Sequence, residues 1–563
     1  MTTEATATEG AEDAAAYLDL LLSDAALGVL RRFVPGGFVG RLGLRLARRP
    51  RTVARRVSAL ADELEAIAAG RSAVAPDRRD RRFADPAWTQ NPVLRRIVQA
   101  YLAGGQFATA LLTDARLESP DAERAQFLVE NLVDALAPSN NPLLSPVAWK
   151  ALIDTGGLSA VRGTRAFASD MATAPRIPSM VEPDAFEVGR DLAVSPGAVV
   201  QRTEICELIQ YEPATPRVNR FPLLIVPPMI NKFYITDLAP GRSLIEYMVG
   251  QGHQVFVISW RNPDARHRSW GIDAYGAAIE SALTAARTIC AAPKASIMSL
   301  CSGGIVSSMV AAQLTATGSD ELASLFCGVT TLDTGGVSGP AALASPRTLE
   351  RAVAASRARG YLDGRALAEV FAWLRPNDLI WNYWVNNYLQ GRPPQPFDIL
   401  YWNADTTRMP AALHEDFIRL FSNGSLAKPG AATLLGTPVD LSTVTVDTYV
   451  VAGIADHLCP WEACYASAKL FGGDVRFALS TSGHIACMVN PPDNPKARFR
   501  AAPAGGSASD WVAGVAEGPG SWWTDYSSWL AARSGGTKTA KSTLGGHGFT
   551  PSDPAPGRYV LDR

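Results

Sequence analysis

The pattern of apolar and polar residues changes once along the chain, near residue 200. Before that point apolar residues recur at helical spacing, as in Leu60, Leu64 and Ile67. We therefore expect a mostly helical N-terminal domain over residues 1–199. Its first 15 residues are rich in Ala, Thr and Glu, and we expect residues 1–15 to be disordered.

After residue 200 short apolar, β-branched runs alternate with helical segments, which predicts a mostly parallel sheet covered by helices in a second domain over residues 200–563. The predicted strands are 221–226, 254–260, 295–300, 325–332, 446–451 and 475–479. Residues 336–435, between the fourth and fifth strands, form an insertion rich in tryptophan and tyrosine. We expect a lid over the active site, because large apolar rings at the mouth of a cleft suit a long acyl substrate. The alternative is that the insertion is a helical addition to the fold without a lid function.

Composition and charge exclude several classes of protein. The chain has 53 basic and 54 acidic residues, so it has no overall electrostatic footprint for nucleic acid. It contains no apolar run of about 18 residues that would span a membrane, and its N-terminus lacks the pattern of a secretory signal. Its 7 cysteines are an odd number without zinc-type spacing, and they suit free thiols in a cytoplasmic protein.

An arginine-rich stretch lies between residues 41 and 56, where arginines are interleaved with leucine and valine. A basic amphipathic helix of this kind can lie on an anionic or apolar surface. A solvated helix face is an equal alternative.

Cys301 lies where an α/β-hydrolase fold places its nucleophile. The predicted strand over 295–300 runs into Cys301-Ser302-Gly303-Gly304 and then into a helical segment, which is the arrangement of a nucleophile elbow. Cysteine replaces the serine of the usual G-x-S-x-G pattern, and Ser299 replaces its first glycine. A helix N-terminus stabilises a thiolate, so we expect Cys301 to be a nucleophile and not a buried structural cysteine.

The order nucleophile, acid, histidine of this fold is completed by Asp456 and His484. Asp456 follows a predicted strand, and His484 lies in the loop after the last core strand. His457 adjoins Asp456, could line the same pocket and is a competing base. We expect His253, His267 and His547 at the surface and His414 in a structural position.

Two backbone amides are needed to stabilise the oxyanion of a tetrahedral intermediate. We expect one from Ser302, directly after the nucleophile. The second should come from the loop after strand 221–226, at Met229 or Ile230. Asn231 and Trp402 are further candidates for lining the pocket.

Several motifs together resemble one family, the polyhydroxyalkanoate synthases. They include Pro227-Pro228-Met229-Ile230-Asn231-Lys232-Phe233-Tyr234, Ser259-Trp260-Arg261-Asn262-Pro263, Leu300-Cys301-Ser302-Gly303-Gly304, Tyr401-Trp402-Asn403-Ala404-Asp405 and Ser482-Gly483-His484-Ile485. The resemblance covers nearly the whole chain from about residue 85. The Cys-Ser-Gly-Gly elbow, residues 384–387 and residues 460–465 look most like the single-subunit type that favours medium-chain monomers.

The resemblance implies a function and a set of partners. Members have an α/β-hydrolase core with a lid, and they polymerise 3-hydroxyacyl-CoA into polyester, with release of CoA, through an acyl-cysteine. The family's Cys, Asp and His fall on Cys301, Asp456 and His484. The resemblance further implies a homodimer, attachment to polymer granules in the cytoplasm, granule-coat proteins as candidate partners, and no metal or organic cofactor.

Two alternatives stay open at this point. One is a hydrolase, such as a polyester depolymerase or a thioesterase, with water as the acyl acceptor. The other is a non-catalytic granule-coat protein, which only the arginine-rich stretch supports. Such a protein does not need a complete, correctly ordered triad.

Overall fold

The computed structural model describes residues 22, 25–28, 37–333, 346–456 and 458–563. The expectation of disorder over residues 1–15, the first part of the predicted insertion and the alternative base His457 lie outside the described residues.

The chain divides into two compact units, neither of which is continuous in sequence. One contains Leu27–Glu182 and Arg365–Pro396, and the other contains Met1–Ala26, Pro183–Gly364 and Phe397–Arg563. The domain boundary at residue 199 stays a prediction.

The first unit is helical. Its helices are Gly37–Ala47, Pro50–Ala68, Ala87–Gln90, Pro92–Ala115, Ser119–Ala135, Pro146–Asp154, Leu158–Ala172 and most of Gly364–Leu374, followed by the π-helical turns Asn377–Trp381 and Trp384–Leu389, with 3-10 turns at Arg81–Phe83 and Pro138–Asn140. The longest of them begins with a proline in its first turn, and the side chain of Asn91 accepts hydrogen bonds from the next two free amides. Local sequence therefore fixes where this helix starts.

Two arginines of the arginine-rich stretch form ion pairs within the helical unit. Arg56 lies 2.7 Å from the carboxylate of Asp114, and Arg41 pairs with Asp121. Ion pairs this close to solvent are screened by water and salt and stabilise the unit little. They nevertheless show that the stretch is not a uniformly free basic face.

The second unit is built on a sheet of 10 strands. The strands of the unit are β1 (Gly197–Arg202), β2 (Cys206–Tyr211), β3 (Arg217–Asn219), β4 (Leu223–Val226), β5 (Val255–Trp260), β6 (Ala295–Leu300), β7 (Leu322–Gly328), β8 (Tyr361–Leu362), β9 (Met409–Pro410), β10 (Ala432–Leu434), β11 (Thr437–Val439), β12 (Thr448–Gly453), β13 (Val475–Ser480), β14 (Arg498–Pro503), β15 (Gly518–Pro519) and β16 (Thr537–Thr539). In the main sheet the order is β1-β2-β5-β4-β6-β7-β12-β13-β14-β15.

All six predicted strands are present, as β4, β5, β6, β7, β12 and β13, and they pair in parallel. Every residue of β4, β5, β6 and β12 is buried, which explains why these strands read as continuous apolar runs. The strands at both edges, β1, β2, β14 and β15, are antiparallel and were not predicted.

Helices flank this sheet. They are Leu244–Gly250, Ile272–Cys290, Ser302–Ala316, Pro346–Arg359, Asp398–Ala404, Ala411–Asn423, Trp461–Ala468, His484–Val489, Ala508–Gly514 and Trp522–Ala531. Ser302–Ala316, which follows β6, is buried along almost its whole length. Within the part of the chain that the structure describes, no helix is both long enough and apolar enough to cross a bilayer.

The aromatic insertion is divided between the two units. Its residues 365–396 group with the helical unit, where Tyr388 stacks edge-on against Phe167 at 5.4 Å and donates a hydrogen bond to Asp170. Trp384 donates from its indole nitrogen to the carbonyl of Asn140 at 3.0 Å. These rings have packing partners within their own unit, and a role as a lid stays a prediction.

Candidate active site

Cys301 forms the turn between β6 and the helix Ser302–Ala316. Its backbone angles are φ 51° and ψ −120°, a strained conformation for a residue that carries a Cβ. The two glycines after it allow this turn to close. A Cβ on Gly303 would lie 2.6 Å from the carbonyl oxygen of Val226, and one on Gly304 would lie 2.1 Å from the hydroxyl of Thr330.

Ser299, which stands where the elbow pattern has its first glycine, is fully buried. Its hydroxyl donates a hydrogen bond of 2.6 Å to the carbonyl oxygen of Phe326 on the neighbouring strand β7. A buried hydroxyl with a partner costs little. The elbow therefore accommodates serine at this position by binding it to the adjacent strand.

Asp456 and His484 are brought together at the carboxyl ends of the adjacent parallel strands β12 and β13. Oδ2 of Asp456 lies 2.7 Å from Nδ1 of His484. The other carboxylate oxygen accepts the backbone amides of Leu458 and Cys459, at 2.8 and 2.9 Å. Since both oxygens are engaged, the carboxylate is held in one orientation, and it holds the imidazole in turn.

The thiol of Cys301 lies close enough to the imidazole of His484 to raise the pKa of that ring. Burial favours the neutral ring and lowers the pKa of His484, but the Asp456 carboxylate and the hydrogen bonds outweigh burial and raise that pKa well above its ordinary value. An imidazole that holds a proton this strongly is able to take one from a thiol. Of the three residues predicted as a triad, Asp456 and His484 form a hydrogen bond, and the role of Cys301 as their nucleophile stays a prediction.

A second thiol, that of Cys459, lies beside the same imidazole. Cys459 is buried, and burial raises the pKa of its thiol to about 11. Donor atoms of Asp456, Cys459 and His484 all lie within 4.8 Å of one another, a separation that could hold a metal ion. The only sequence signal was its position three residues after Asp456.

The loop after β4 lies next to the elbow and carries the predicted oxyanion donors. The amide of Met229 donates to the hydroxyl of Ser302 at 3.1 Å, which ties the loop to the first turn of the helix. The carbonyl of Ile230 accepts the amide of Thr407 at 3.3 Å. Because the Met229 amide already donates to the Ser302 hydroxyl in this structure, the roles of Met229 and Ile230 as oxyanion donors stay predictions.

Trp402 and Asn231 both take part in holding this loop. The indole nitrogen of Trp402 donates to the carbonyl of Lys232 at 2.7 Å, and the ring is buried. Asn231 pairs with Thr406 in an antiparallel bridge. The contacts place both residues as supports of the loop.

Lys232 anchors the same loop to the last residues of the chain. Its ammonium donates to the carbonyls of Asp562, at 2.5 Å, and Tyr559, at 3.4 Å. The side chain is buried, and burial lowers the pKa of Lys232. Sequence analysis did not identify this buried cation.

Two of the histidines expected at the surface are in fact buried. His253 lies between Asn219, at 2.9 Å from Nδ1, and Ser527, at 3.0 Å from Nε2, and His267 closes a 3-10 turn with Asp264. The prediction was wrong because His253 lies in a turn and His267 lies among charged residues, which are usually exposed. In the folded chain a helix distant in sequence can cover such a turn. His547 is exposed, and His414 is buried.

Comparisons with known proteins match both halves of the chain. A family model described as "Poly-beta-hydroxybutyrate polymerase (PhaC) N-terminus" matches residues 79–248, and one described as "alpha/beta hydrolase fold" matches residues 231–491. The latter confirms the predicted fold class. A solved monoacylglycerol lipase of Paleococcus ferrophilus aligns with a TM-score of 0.32 at 13% identity, over 58% of this chain and 99% of its own.

Two curated relatives are similar over most of their length. Poly(3-hydroxyalkanoate) polymerase 2 of Ectopseudomonas oleovorans is 46% identical over 520 residues, which are 92% of this chain and 92% of the relative. Poly(3-hydroxyalkanoate) polymerase 1 of the same organism is 43% identical over 517 residues, again 92% of each chain.

Proposed function

Because the chain belongs to the poly(3-hydroxyalkanoate) polymerase family and is an acyltransferase, we propose that it polymerises 3-hydroxyacyl-CoA through a covalent acyl-cysteine at Cys301. The observation that carries this proposal is the hydrogen bond between Asp456 and His484, with the Cys301 thiol close enough to raise the pKa of the same imidazole. A nucleophile, a base and a residue that orients the base are the parts that acyl transfer requires.

In the first step His484 takes the proton of the Cys301 thiol, and the thiolate attacks the thioester carbonyl. The carbonyl oxygen becomes an oxyanion, for which the amides of Ser302 and of Met229 or Ile230 are the proposed donors. The bond to the CoA sulfur then breaks, and His484 returns its proton to the leaving thiolate. The acyl group is left on Cys301, and CoA is released.

In the second step the 3-hydroxyl of another acyl unit attacks the acyl-cysteine. His484 removes the hydroxyl proton as the new ester forms, and it gives that proton to the departing Cys301 sulfur. The lengthened chain, still a CoA thioester, then acylates Cys301 again with release of CoA. Each cycle adds one monomer.

Cysteine suits this reaction because one thioester replaces another. The acyl group on Cys301 stays as activated as it was on CoA, so it can still be transferred to a hydroxyl. We further propose that no metal or organic cofactor is needed, since the thioester brings its own activation. Water must be kept from the acyl-enzyme, which is the role we propose for the aromatic insertion.

The finer points of the function rest on the family alone. We propose that the enzyme works as a homodimer, attaches to its own polyester in granules within the cytoplasm, and meets granule-coat proteins there. Medium-chain monomers are the proposed substrates, on the motif resemblance and on the identity to the two Ectopseudomonas oleovorans polymerases.

A product analysis tests the polymerase against the hydrolase. The purified enzyme is incubated with 3-hydroxyacyl-CoA thioesters of increasing chain length, and the insoluble polyester and the free hydroxy acid are both quantified. The proposal predicts that CoA release is matched by ester bonds in polymer, most rapidly with medium-chain monomers. Free 3-hydroxy acid in place of polymer would show a hydrolase instead.

A further inference from the structure

We propose that Tyr559 is a positioning residue for acyl transfer, because it seats the segment 552–562 so that this segment holds the loop 227–232, which follows β4 at the active-site edge of the sheet. The kinetic part rests on the proposed function, since it requires the loop to supply an oxyanion donor. The structural part stands on the contacts of the segment alone.

The segment 552–562 first runs along β1, the edge strand of the main sheet. The amide of Val199 donates to the carbonyl of Asp553, and the carbonyl of Val199 accepts the amide of Ser552, both at 2.9 Å. Such backbone bonds extend the sheet by one stretch of chain. They lead the segment towards β2, the next strand of the sheet.

A buried carboxylate on β2 receives the segment. Oε2 of Glu207 accepts the amides of Arg558 and Tyr559, at 2.9 and 3.0 Å, and the Glu207 side chain is fully buried. Oε1 of Glu207 lies 2.6 Å from the guanidinium of Arg202, which balances the charge. Because a buried charge is costly to leave without its partners, these bonds fix the backbone at Tyr559.

The side chain of Tyr559 joins the segment to the residues before β2 and after β5. Its hydroxyl donates to the carbonyl of Thr203 at 2.7 Å. The guanidinium of Arg261 lies over the ring, 4.0 Å from its centroid, and donates to the same hydroxyl. Arg261 directly follows β5. Tyr559, which is 7% exposed, is thus seated at the carboxyl end of a central strand.

The 3-10 turn Tyr559–Leu561 and the residue after it offer backbone carbonyls to the loop 227–232. The ammonium of Lys232 donates to the carbonyl of Asp562 at 2.5 Å and to that of Tyr559 at 3.4 Å. Lys232 is buried, so water does not replace these acceptors when they move. The position of Tyr559 therefore decides where the end of the loop lies.

A second set of hydrogen bonds leads from the same turn to the middle of the loop. Nδ2 of Asn262 donates to the carbonyl of Asp562 at 3.4 Å, and Oδ1 of Asn262 accepts the amide of Arg408 at 3.0 Å. The amide of the preceding residue, Thr407, donates to the carbonyl of Ile230 at 3.3 Å. Both sets converge on the carbonyl of Asp562, so one backbone group supports the loop at two points.

The loop matters for the rate because it contains Met229 and Ile230, the proposed oxyanion donors. Such a donor acts in the transition state, so its displacement lowers kcat and leaves KM nearly unchanged. A misplacement of about 1 Å can cost about 10²-fold in rate. A purely structural role of Tyr559 would lower the stability of the enzyme without changing kcat per folded molecule.

The test replaces Tyr559 by leucine in the full-length enzyme. Hydrogen exchange of backbone amides is followed by mass spectrometry in a peptide covering residues 229–236, with a peptide of the buried strand β12 as internal reference. In Tyr559→Leu the loop should exchange at least about tenfold faster, while β12 is unchanged. The kcat for CoA release per folded molecule should fall at least about tenfold, with KM within about twofold of wild type.

Two further variants in the same turn serve as controls. Leu561 has a side chain that is 57% exposed, so Leu561→Ala should leave loop exchange and kcat at their wild-type values. Val560 is buried, and Val560→Ala is a milder change than Tyr559→Leu. It covers the case in which Tyr559→Leu does not fold, since faster loop exchange and a lower kcat are expected there too.

Two results would overturn the inference. Wild-type exchange of the loop in Tyr559→Leu and Val560→Ala would show that the turn does not hold the loop. Faster exchange with an unchanged kcat would show that the position of the loop does not limit the rate. Failure of the proposed function would appear separately, as absent CoA release from wild type or as full release from Cys301→Ala.

Discussion

The carboxylate of Asp456 and Nδ1 of His484 lie 2.7 Å apart although 28 residues separate them in the chain. The contact follows from sheet register, because Gly453 at the end of β12 pairs with Ser480 at the end of β13. Parallel strands finish at the same edge of a sheet, so the residues that follow them become neighbours. Cys301 follows β6 at this same edge.

Replacing Asp456 by asparagine should weaken the base without unfolding the enzyme. In the Asp456→Asn variant the imidazole of His484 loses the carboxylate that raises its pKa, so that pKa should fall. The rate of CoA release should drop by about 10²- to 10⁴-fold. Histidine ring signals followed by NMR as the pH is varied check the pKa. An unchanged His484 titration would contradict the assignment of Asp456.

The same pair should affect stability in a defined pH window. Because the folded-state pKa of His484 is raised above the ordinary 6.5, the interaction stabilises the fold fully below about pH 6.5 and is lost as the pH rises through the raised pKa. The difference in unfolding free energy between wild type and Asp456→Asn should therefore shrink with rising pH. Urea unfolding at several pH values measures it.

Gly303 should not tolerate a side chain. In Gly303→Ala the new Cβ would lie 2.6 Å from Val226 O and 2.7 Å from Pro227 O, both backbone atoms that cannot rotate away. We expect a loss of about 1–3 kcal/mol in unfolding free energy, together with a large loss of activity. Gly250→Ala is the control, since nothing lies within 4 Å of its Cβ position, and it should change stability by less than about 0.5 kcal/mol.

Lys232 should be needed to hold the loop that carries Met229 and Ile230. Lys232→Met keeps the aliphatic stem but removes the ammonium from the carbonyls of Tyr559 and Asp562, at a cost of about 1–3 kcal/mol for each carbonyl that stays buried without a partner. The rate of CoA release should fall with it.

An exposed lysine with a similar bond serves as the comparison for Lys232. Lys428 donates to the carbonyl of Asn423 at 2.7 Å in solvent, so Lys428→Met should alter neither stability nor rate appreciably. Equal effects of the two substitutions would show that the buried contact does not support the loop.

Protonation of His253 should lower the unfolding free energy of the enzyme at acid pH. Burial lowers the pKa of His253 to about 4, so its contribution is present above about pH 6.5 and is lost as the pH falls through about 4, by up to about 3 kcal/mol. His253→Gln should flatten the fall in unfolding free energy over that window, whereas substitution of the exposed His547 should not. A slope unchanged by His253→Gln would contradict the neutral, buried ring.

The sequence was sufficient to predict the central strands of the sheet unit but not the edge strands or the loop contacts around them. Strands buried on both faces are continuous apolar runs, so β4 to β7, β12 and β13 could be recognised. The fixed chain order of the fold predicted Asp456 and His484, which hydrogen-bond each other in the structure. The antiparallel strands β1, β14 and β15 lack that signal because they are only partly covered, and polar residues interrupt the buried strand β2. The contact between Cys459 and His484 depends on how a short loop returns after β12, which no local pattern encodes.

The sequence likewise could not predict that residues 365–396 group with the helical unit. That grouping depends on pairs such as Tyr388 with Asp170, which are more than 200 residues apart. Ser299 is a further example, since only the structure shows that Phe326 accepts its hydroxyl.

CoA release by Cys301→Ala tests the central claim most directly. Wild type, Cys301→Ala and Cys464→Ala are incubated with the same 3-hydroxyacyl-CoA, and free CoA is trapped with a thiol reagent against a protein-only background. The account predicts no release above background from Cys301→Ala and nearly full release from Cys464→Ala, whose buried thiol points to the backbone carbonyl of Cys459. Release at the wild-type rate from Cys301→Ala would contradict the acyl-cysteine mechanism.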